Sequence, residues 1–330
     1  MTGLDRDLQH ILEHTQGLWR ELQGASIFVT GGTGFFGRWM VESFLAANRQ
    51  FQLGAELLVL SRNPQPARDG VSFCTGDVRT FPFPEGDFSH VLHLATPASA
   101  ALNQSRPFEM QEICVDGTRR VLEFAKLRGV EKFLLASSGA VYGRQPPDLD
   151  KTPEDYPGGP DPLDPRSAYA EGKRMAEWMC AASGLDVKIA RGFAFLGPYL
   201  PLEAHFAAGN FIADVLAARP IVVQGDGTPL RSYLYAADLA IWLWTILLRG
   251  QNRRAYNVGS ENAISIADLA RLIAGSASIE IRGTPVLGEK PERYVPSTAR
   301  ARAELHLQER IDLSESIQRT IAWHRLMRST

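Results

Sequence analysis

Cysteine is scarce in this chain. Its 330 residues include three, Cys74, Cys114 and Cys180. An odd, widely spaced set without a CxxC pair argues against a disulfide framework and a structural zinc site, so no metal is expected. Thiols in a reducing cytosol fit better. A dominant charge is lacking too. The 35 basic and 37 acidic residues give a formal net charge of −2, which offers no general attraction to nucleic acid or an anionic membrane. Long hydrophobic runs are also missing. The most apolar stretch, residues 239–248, is too short to span a bilayer and follows Asp238. It reads as a buried helix. Residues 1–24 carry acids and a helical apolar period (Leu4, Leu8, Ile11, Leu12). They read as an N-terminal helix packed on the domain rather than a signal peptide. A soluble, cytoplasmic protein is expected, without internal repeats.

What is present is an alternation of apolar runs and amphipathic segments. "ASIFVTGG", "AELLVLSR", "VSFCTGD", "SHVLHLA", "KFLLASS" and "DVKIARGF" read as strands. Because they are continuously apolar, they fit a parallel sheet covered on both faces. The intervening helices predict an α/β fold with a Rossmann-type doubly wound sheet. After Gly192 short helices mix with short strands, and "YNVGS" reads as a strand returning to the main sheet. The expected division is a dinucleotide-binding domain at 25–192 plus about 231–262. A smaller, discontinuous α/β substrate lobe takes about 193–230 plus 263–330. The Pro-rich stretch 145–166 reads as a long loop of the kind that carries binding residues.

The sequence "GGTGFFG", Gly31 to Gly37, lies between the first strand and a helix. Gly32, Gly34 and Gly37 match G-x-G-x-x-G in the context that gives the motif meaning. The expected roles are a tight turn at Gly32, backbone approach to a pyrophosphate at Gly34 and close helix packing at Gly37. Thr33, Phe35 and Phe36 would complete the cradle at the helix N-terminus. The second strand ends at Ser61 and Arg62 rather than at an acid. An arginine there suits a 2′-phosphate, so NADP is slightly favoured over NAD. Asp77 and Val78 are the candidates for the adenine end.

"AYAEGK" puts Tyr169 and Lys173 on one helix face. A tyrosine ionises near pH 10, and a neighbouring ammonium is expected to lower that value. The phenolate would then take the proton of a sugar hydroxyl. Taken together, the glycine turn, "SSGAVYG" from Ser137 and the Tyr169/Lys173 pair resemble the extended short-chain dehydrogenase/reductases, the NAD(P)-dependent nucleotide-sugar epimerase/dehydratase family. "HLATPAS", "GNFI", "GDGTPLRSYLYAADLA" and "ERYVPSTARARAEL" extend the resemblance over most of the chain.

That resemblance implies a nucleotide-sugar substrate and makes Ser138 the third catalytic residue. It places Leu94, Ala95 and Thr96 near the nicotinamide, with Thr96 and Gly139 also near the sugar. Asn210, Arg231 and Arg293 would hold the nucleotide diphosphate. It also implies a homodimer, paired through helices 108–128 and that of Tyr169. His205, in the short "LEAHF" segment, reads as a structural or solvated loop histidine.

The departures from the family pattern narrow the reaction. Where 4,6-dehydratases resemble "TDEVYG", this chain has Gly139 and Ala140, which carry no proton. UDP-glucuronate decarboxylases are similar in "HLATPAS" and "YAEGKRMAE" but have a Glu where Ala140 stands. Cys114 and Ala194 each replace a common Asn. "SSGAVYG" resembles the sugar 4-epimerases, whose small residues leave room for a keto-sugar to turn. The resulting expectation is an epimerase working through a 4-keto-sugar. An NADPH-dependent 4-keto-sugar reductase and a UDP-glucuronate-decarboxylase-like enzyme are the alternatives. A dinucleotide sensor without turnover is disfavoured because Ser138, Tyr169 and Lys173 are all present.

Overall fold

The computed structural model describes residues 3–97, 99–202 and 206–329. Helix α1 (Gly3–Thr15) opens the chain, followed by a short 3-10 turn at Trp19–Leu22. The N-terminal helix is thus shorter than the sequence suggested. Its last turn closes where the Thr15 hydroxyl donates to the Ile11 carbonyl and accepts from the Trp19 indole.

The first half alternates as its apolar runs dictate. β1 (Ser26–Thr30), α2 (Phe35–Phe51), β2 (Glu56–Ser61), β3 (Val71–Thr75) and β4 (His90–His93) come first. α3 (Ala100–Ser105), α4 (Pro107–Leu127), β5 (Lys132–Ser138), α5 (Ala168–Ala182) and β6 (Val187–Gly192) follow. The second half holds β7 (Phe195–Leu196), α6 (Ala207–Leu216), β8 (Ile221–Val223), β9 (Leu230–Arg231), β10 (Leu234–Tyr235), α7 (Ala236–Arg249) and β11 (Arg254–Val258). It closes with β12 (Ile264–Ser265), α8 (Ile266–Ala274), β13 (Ile279–Ile281), β14 (Arg293–Tyr294), α9 (Ala299–Leu305) and α10 (Leu313–Ser329).

Seven strands form one parallel sheet in the order β11-β6-β5-β4-β1-β2-β3. The order reverses at β1, so the crevice between β1 and β4 is the switch point at which doubly wound sheets bind ligands. α7 lies on one face, buried from Ala236 to Leu248. Its all-round apolar surface marks a helix enclosed by neighbours rather than one facing water. Trp39, Trp242 and Trp244 are fully buried with it. Among the described residues no helix is long and apolar enough to cross a membrane.

The smaller elements gather beside the C-terminal strand ends. β8 pairs with β13, while β9 lies between β12 and β14. Leu196, Phe211, Ile212, Ile221, Leu269 and Ile273 share a separate apolar cluster there. All three cysteines are free, with Cys114 and Cys180 buried.

Candidate active site

The turn after β1 is built by glycines, though not in the roles expected from the motif. Gly31, not Gly32, takes the left-handed conformation, at φ +74°. A side chain there would also meet the backbone of Leu94 and Ala95 at 2.7 Å. Gly32 instead makes room for β2, since a Cβ on it would sit 2.5 Å from Val59. Gly37 packs as expected: its Cβ would lie 2.2 Å from the Gly31 carbonyl oxygen. Gly34, the N-cap of α2, has only that same oxygen within reach, at 3.4 Å. Its open side and the free first N–H groups of α2 therefore fit a dinucleotide's pyrophosphate. Thr33 is exposed beside it. Phe35 packs inward, and Phe36 meets Phe195 edge-on at 5.0 Å.

The other cofactor candidates line up along the strand ends. Leu94 and Ala95 donate to Thr30, through its carbonyl at 3.1 Å and its hydroxyl at 3.2 Å. His93 bridges the same Thr30 hydroxyl and that of Thr118. Burial, with Lys173 nearby, pushes this imidazole down to about 3, so it stays neutral. At the end of β2, Ser61 is buried and Arg62 exposed. Arg62 is close enough to help stabilise the Asp77 carboxylate, although Arg79 is that carboxylate's principal partner, with contacts of 2.9 Å. Asp77 therefore arrives already paired. Val78 packs its side chain toward Gly117 of α4.

Ser138 ends β5, and α5 carries Tyr169 and Lys173 against it. The backbone N–H of Tyr169 donates to Asn103 Oδ1 at 2.9 Å, which fixes the start of α5 on α3. Lys173 is 4% exposed. Its Nζ donates to Thr96 Oγ1 at 2.9 Å and to the Ala136 carbonyl at 2.6 Å. Burial pulls its pKa down, opposed by the fields of Cys114 and Glu177.

The phenol of Tyr169 behaves differently from the sequence expectation. Burial raises its pKa above 10, and the Ser138 hydrogen bond opposes this only in part. The Lys173 ammonium lies 6.0 Å from the ring and is held by other oxygens. Desolvation therefore outweighs it. A positive charge nearer the oxygen is what would activate this phenol.

Gly139 and Ala140 follow Ser138 in a short 3-10 turn, and the Ala140 N–H donates to Ser138 Oγ at 3.1 Å. The absence of a side chain at Gly139 does not leave an open chamber. A Cβ there would meet the Tyr294 hydroxyl and the Phe193 ring, each at 2.7 Å. Neither Tyr294 nor Asn103 was singled out by the sequence motifs.

The phosphate candidates lie on α6, β9 and β14. Arg231 and Tyr294 are register partners on β9 and β14, so they share a face. Arg231 donates to the Leu230 carbonyl at 2.9 Å and reaches Glu292 at 3.8 Å. Arg293 alternates to the opposite face, where its Nη1 reaches Asp150 at 3.4 Å. Asn210 is exposed in the first turn of α6. His205 lies outside the described residues. Among those described, no group of acids, histidines and cysteines is placed to hold a metal.

Comparison with known proteins follows the same outline. The UDP-glucuronic acid decarboxylase 1 of Xenopus tropicalis is 30% identical over 309 residues, covering 91% of this chain and 72% of its own. A Streptomyces venezuelae dTDP-glucose 4,6-dehydratase crystallised with NAD superimposes with a TM-score of 0.77 at 23% identity, over 92% of this chain and 98% of its own. A Thermus thermophilus UDP-glucose 4-epimerase in complex with NAD gives a TM-score of 0.74 at 25% identity, over 91% and 99%. The model of the NAD dependent epimerase/dehydratase family matches residues 27–259. With that span matched and the fold shared, this chain belongs to the NAD dependent epimerase/dehydratase family.

Proposed function

We propose that this protein is a redox-neutral nucleotide-sugar enzyme that decarboxylates a UDP-hexuronate through a 4-keto intermediate. The carrying observation is a site with Ser138, Tyr169 and Lys173 in place in a chain 30% identical to a UDP-glucuronic acid decarboxylase, even though Ala140 stands where such enzymes have a Glu. A nicotinamide dinucleotide at the glycine turn supplies reversible two-electron oxidation of a sugar carbinol. Tyr169 removes the proton of the C4 hydroxyl as the ketone forms, and Ser138 hydrogen-bonds the same oxygen. Lys173 holds Thr96 and the β5 carbonyl in register beside them.

The 4-ketone places the C5 carboxylate β to a carbonyl. The C5–C6 bond then breaks, carbon dioxide leaves, and the bonding pair enters the C4–C5 enolate. C5 takes a proton from solvent water, the hydride removed from C4 returns to C4, and Tyr169 gives its proton back to the C4 oxygen. Neither an acid nor a base at positions 139 and 140 is needed. Dehydration across C5 and C6, by contrast, lacks both its acid and its base here.

The epimerase expectation is weaker on this geometry. It relied on small side chains leaving room for a sugar to turn, and Tyr294 with Phe193 fills the space beside Gly139. The 30% identity to a UDP-glucuronic acid decarboxylase favours the same choice.

For the dinucleotide, NAD is the better proposal than NADP. Arg62 acts on the Asp77 carboxylate, whose negative charge would repel a 2′-phosphate. For the assembly, a homodimer is proposed. α4 and α5 leave Phe108, Leu127, Met175 and Trp178 exposed, and exposed apolar groups of this size favour a partner surface.

The test is direct. Purified protein is denatured and its released nucleotide identified by mass spectrometry; native protein is then incubated with UDP-glucuronate. Co-purified NAD and a product lighter by one carbon dioxide are expected. UDP-glucose converted to its 4-epimer, with UDP-glucuronate untouched, would return the choice to the epimerase.

A further inference from the structure

Ser137, Arg191 and Asn257 are register partners across β5, β6 and β11. Direct partners on neighbouring strands share a face, so the three form one polar row across the sheet, and Ser137 immediately precedes Ser138. Glu177 of α5, one helical turn beyond Lys173, closes on this row. It accepts from the Ser137 hydroxyl, and it takes Arg191 Nε at 2.9 Å and Nη2 at 2.6 Å. Both charged side chains are largely buried. A buried ion pair is a weak source of net stability, so the row is better understood by what it holds in place.

From Arg191 the hydrogen bonds run in one direction. A guanidinium only donates, and its Nη1 reaches the Tyr142 hydroxyl at 2.8 Å. Burial, opposed by Arg191, pushes the Tyr142 phenol up to about 12, so it keeps its proton. That proton goes to Asn257 Oδ1 at 2.7 Å. The Asn257 amide is thereby fixed with its oxygen toward Tyr142. Its Nδ2 donates to the Thr152 carbonyl at 2.8 Å and to the Ser297 carbonyl at 2.9 Å. Asn257 is fully buried, and both polar atoms of its side chain are paired.

The two carbonyls belong to segments that meet beside the site. Thr152 lies in the Pro-rich loop, and Ser297 follows closely on β14. The Thr152 N–H donates to the Val295 carbonyl and the Ser297 N–H to the Thr152 carbonyl, each at 2.9 Å. β14 carries Tyr294, the register partner of Arg231 on β9. The Tyr294 hydroxyl stands 2.7 Å from the place of a Cβ on Gly139. The Asn257 amide is thus the point from which β14, and through it β9, hangs beside the end of β5.

We propose that Asn257, oriented by Tyr142, is a positioning residue for substrate binding: it holds β14 and its partner Arg231 at the separation from Ser138 and Tyr169 that a nucleotide sugar spans. The glycine turn follows β1, which lies beyond β6, β5 and β4 in the sheet, so dinucleotide binding does not depend on this chain of bonds. The proposal rests on the nucleotide-sugar reading of the site, with Arg231 at the diphosphate.

Two variants test it. Tyr142→Phe removes the hydroxyl that orients the amide. Asn257→Asp keeps the shape but sets an oxygen against the Thr152 and Ser297 carbonyls. KM for UDP-glucuronate is expected to rise about three- to tenfold in the first and about tenfold or more in the second, with kcat within about threefold. Bound dinucleotide should be retained in both. Because the two substitutions act on one amide, the double variant should be no worse than Asn257→Asp. Should Asn257→Asp fail to fold, Tyr142→Phe decides alone. An unchanged KM, a kcat loss with KM intact, or a loss of dinucleotide as large as the loss of substrate affinity would overturn the proposal.

Should wild type turn over no nucleotide sugar, the reaction assigned above fails by itself, and UDP serves as the probe. Calorimetric binding of UDP to the NAD-loaded protein that is about three- to tenfold weaker in Tyr142→Phe supports the positioning role. Equal affinity in the variant, or no UDP bound by wild type, overturns it.

Discussion

Lys173 Nζ donates to Thr96 Oγ1 at 2.9 Å and to the Ala136 carbonyl at 2.6 Å. One buried ammonium thereby ties α5, which carries Tyr169, to the segment after β4 and to the strand bearing Ser138. It organises the site more than it electrostatically activates Tyr169. Lys173→Met keeps much of the volume but leaves Thr96 and Ala136 without their donor. Turnover is expected to fall by at least about 100-fold together with a loss of bound dinucleotide. Steady-state kinetics and nucleotide content measured on the same preparation check this; retention of both would show that Lys173 is not the tie.

Tyr169→Phe separates chemistry from architecture. The residue's backbone, which accepts its place from Asn103, is unchanged by the substitution. A loss of turnover of about 100-fold or more is expected, with dinucleotide content and melting temperature near wild type. Unchanged turnover would remove Tyr169 from the chemistry.

The glycine turn makes a graded prediction. Gly37→Ala sets a methyl 2.2 Å from a backbone oxygen that cannot move aside, whereas Gly34→Ala meets its nearest atom at 3.4 Å. The first variant should lose several degrees of melting temperature and its dinucleotide. The second should fold normally and bind dinucleotide more weakly, because the methyl stands on the face the pyrophosphate approaches. Calorimetry with nucleotide quantitation distinguishes the two, and equal behaviour would contradict the assigned roles.

His93 predicts an acid-sensitive stability. In the fold its imidazole is driven from 6.5 down to about 3, chiefly by burial and then by Lys173. The unfolded chain takes up a proton near 6.5 that the folded chain refuses. Stability is therefore full above that pH and falls as pH drops through the window below it, by at most about 1.4 kcal/mol per unit. His90, lowered to about 4, adds in the same direction. Urea unfolding at pH 7 and pH 5 should show the loss, and His93→Asn should reduce it. An equal loss in the variant would assign the effect elsewhere.

Arg231 and Arg293 should part company. Arg231 shares a face with Tyr294, whereas Arg293 reaches toward Asp150. Arg231→Ala is expected to raise KM for UDP-glucuronate about tenfold or more, and Arg293→Ala by much less. Equal effects would mean that both guanidinium groups reach the diphosphate.

The main sheet was legible because each buried parallel strand is a continuous apolar run closed by a turn, as "KFLLASS" and "VKIARG" show. The Tyr169/Lys173 spacing was legible because a helix turns a separation of four residues into one face. What the sequence hid is the meeting of distant segments. Nothing local to Tyr294 announces that its hydroxyl fills the place of a side chain on Gly139. Nor does Asp77 reveal, two residues before Arg79, that the two will pair. The balance at Tyr169 was misjudged for the same reason. Sequence gives the neighbouring ammonium but not the desolvation that outweighs it. The tight turn falls at Gly31 rather than Gly32 because the motif counts glycines, whereas the turn depends on which one faces β2.

The central claim is that a 4-keto-uronate forms here and loses its carboxylate. It is tested most directly by supplying UDP-glucuronate labelled with 13C at the carboxyl carbon and following the label by NMR. The account predicts label appearing as carbon dioxide and bicarbonate in step with an unlabelled UDP-pentose, with no added reductant consumed. Label retained in a UDP-hexuronate of inverted configuration, or turnover only when NADPH is supplied, would contradict it.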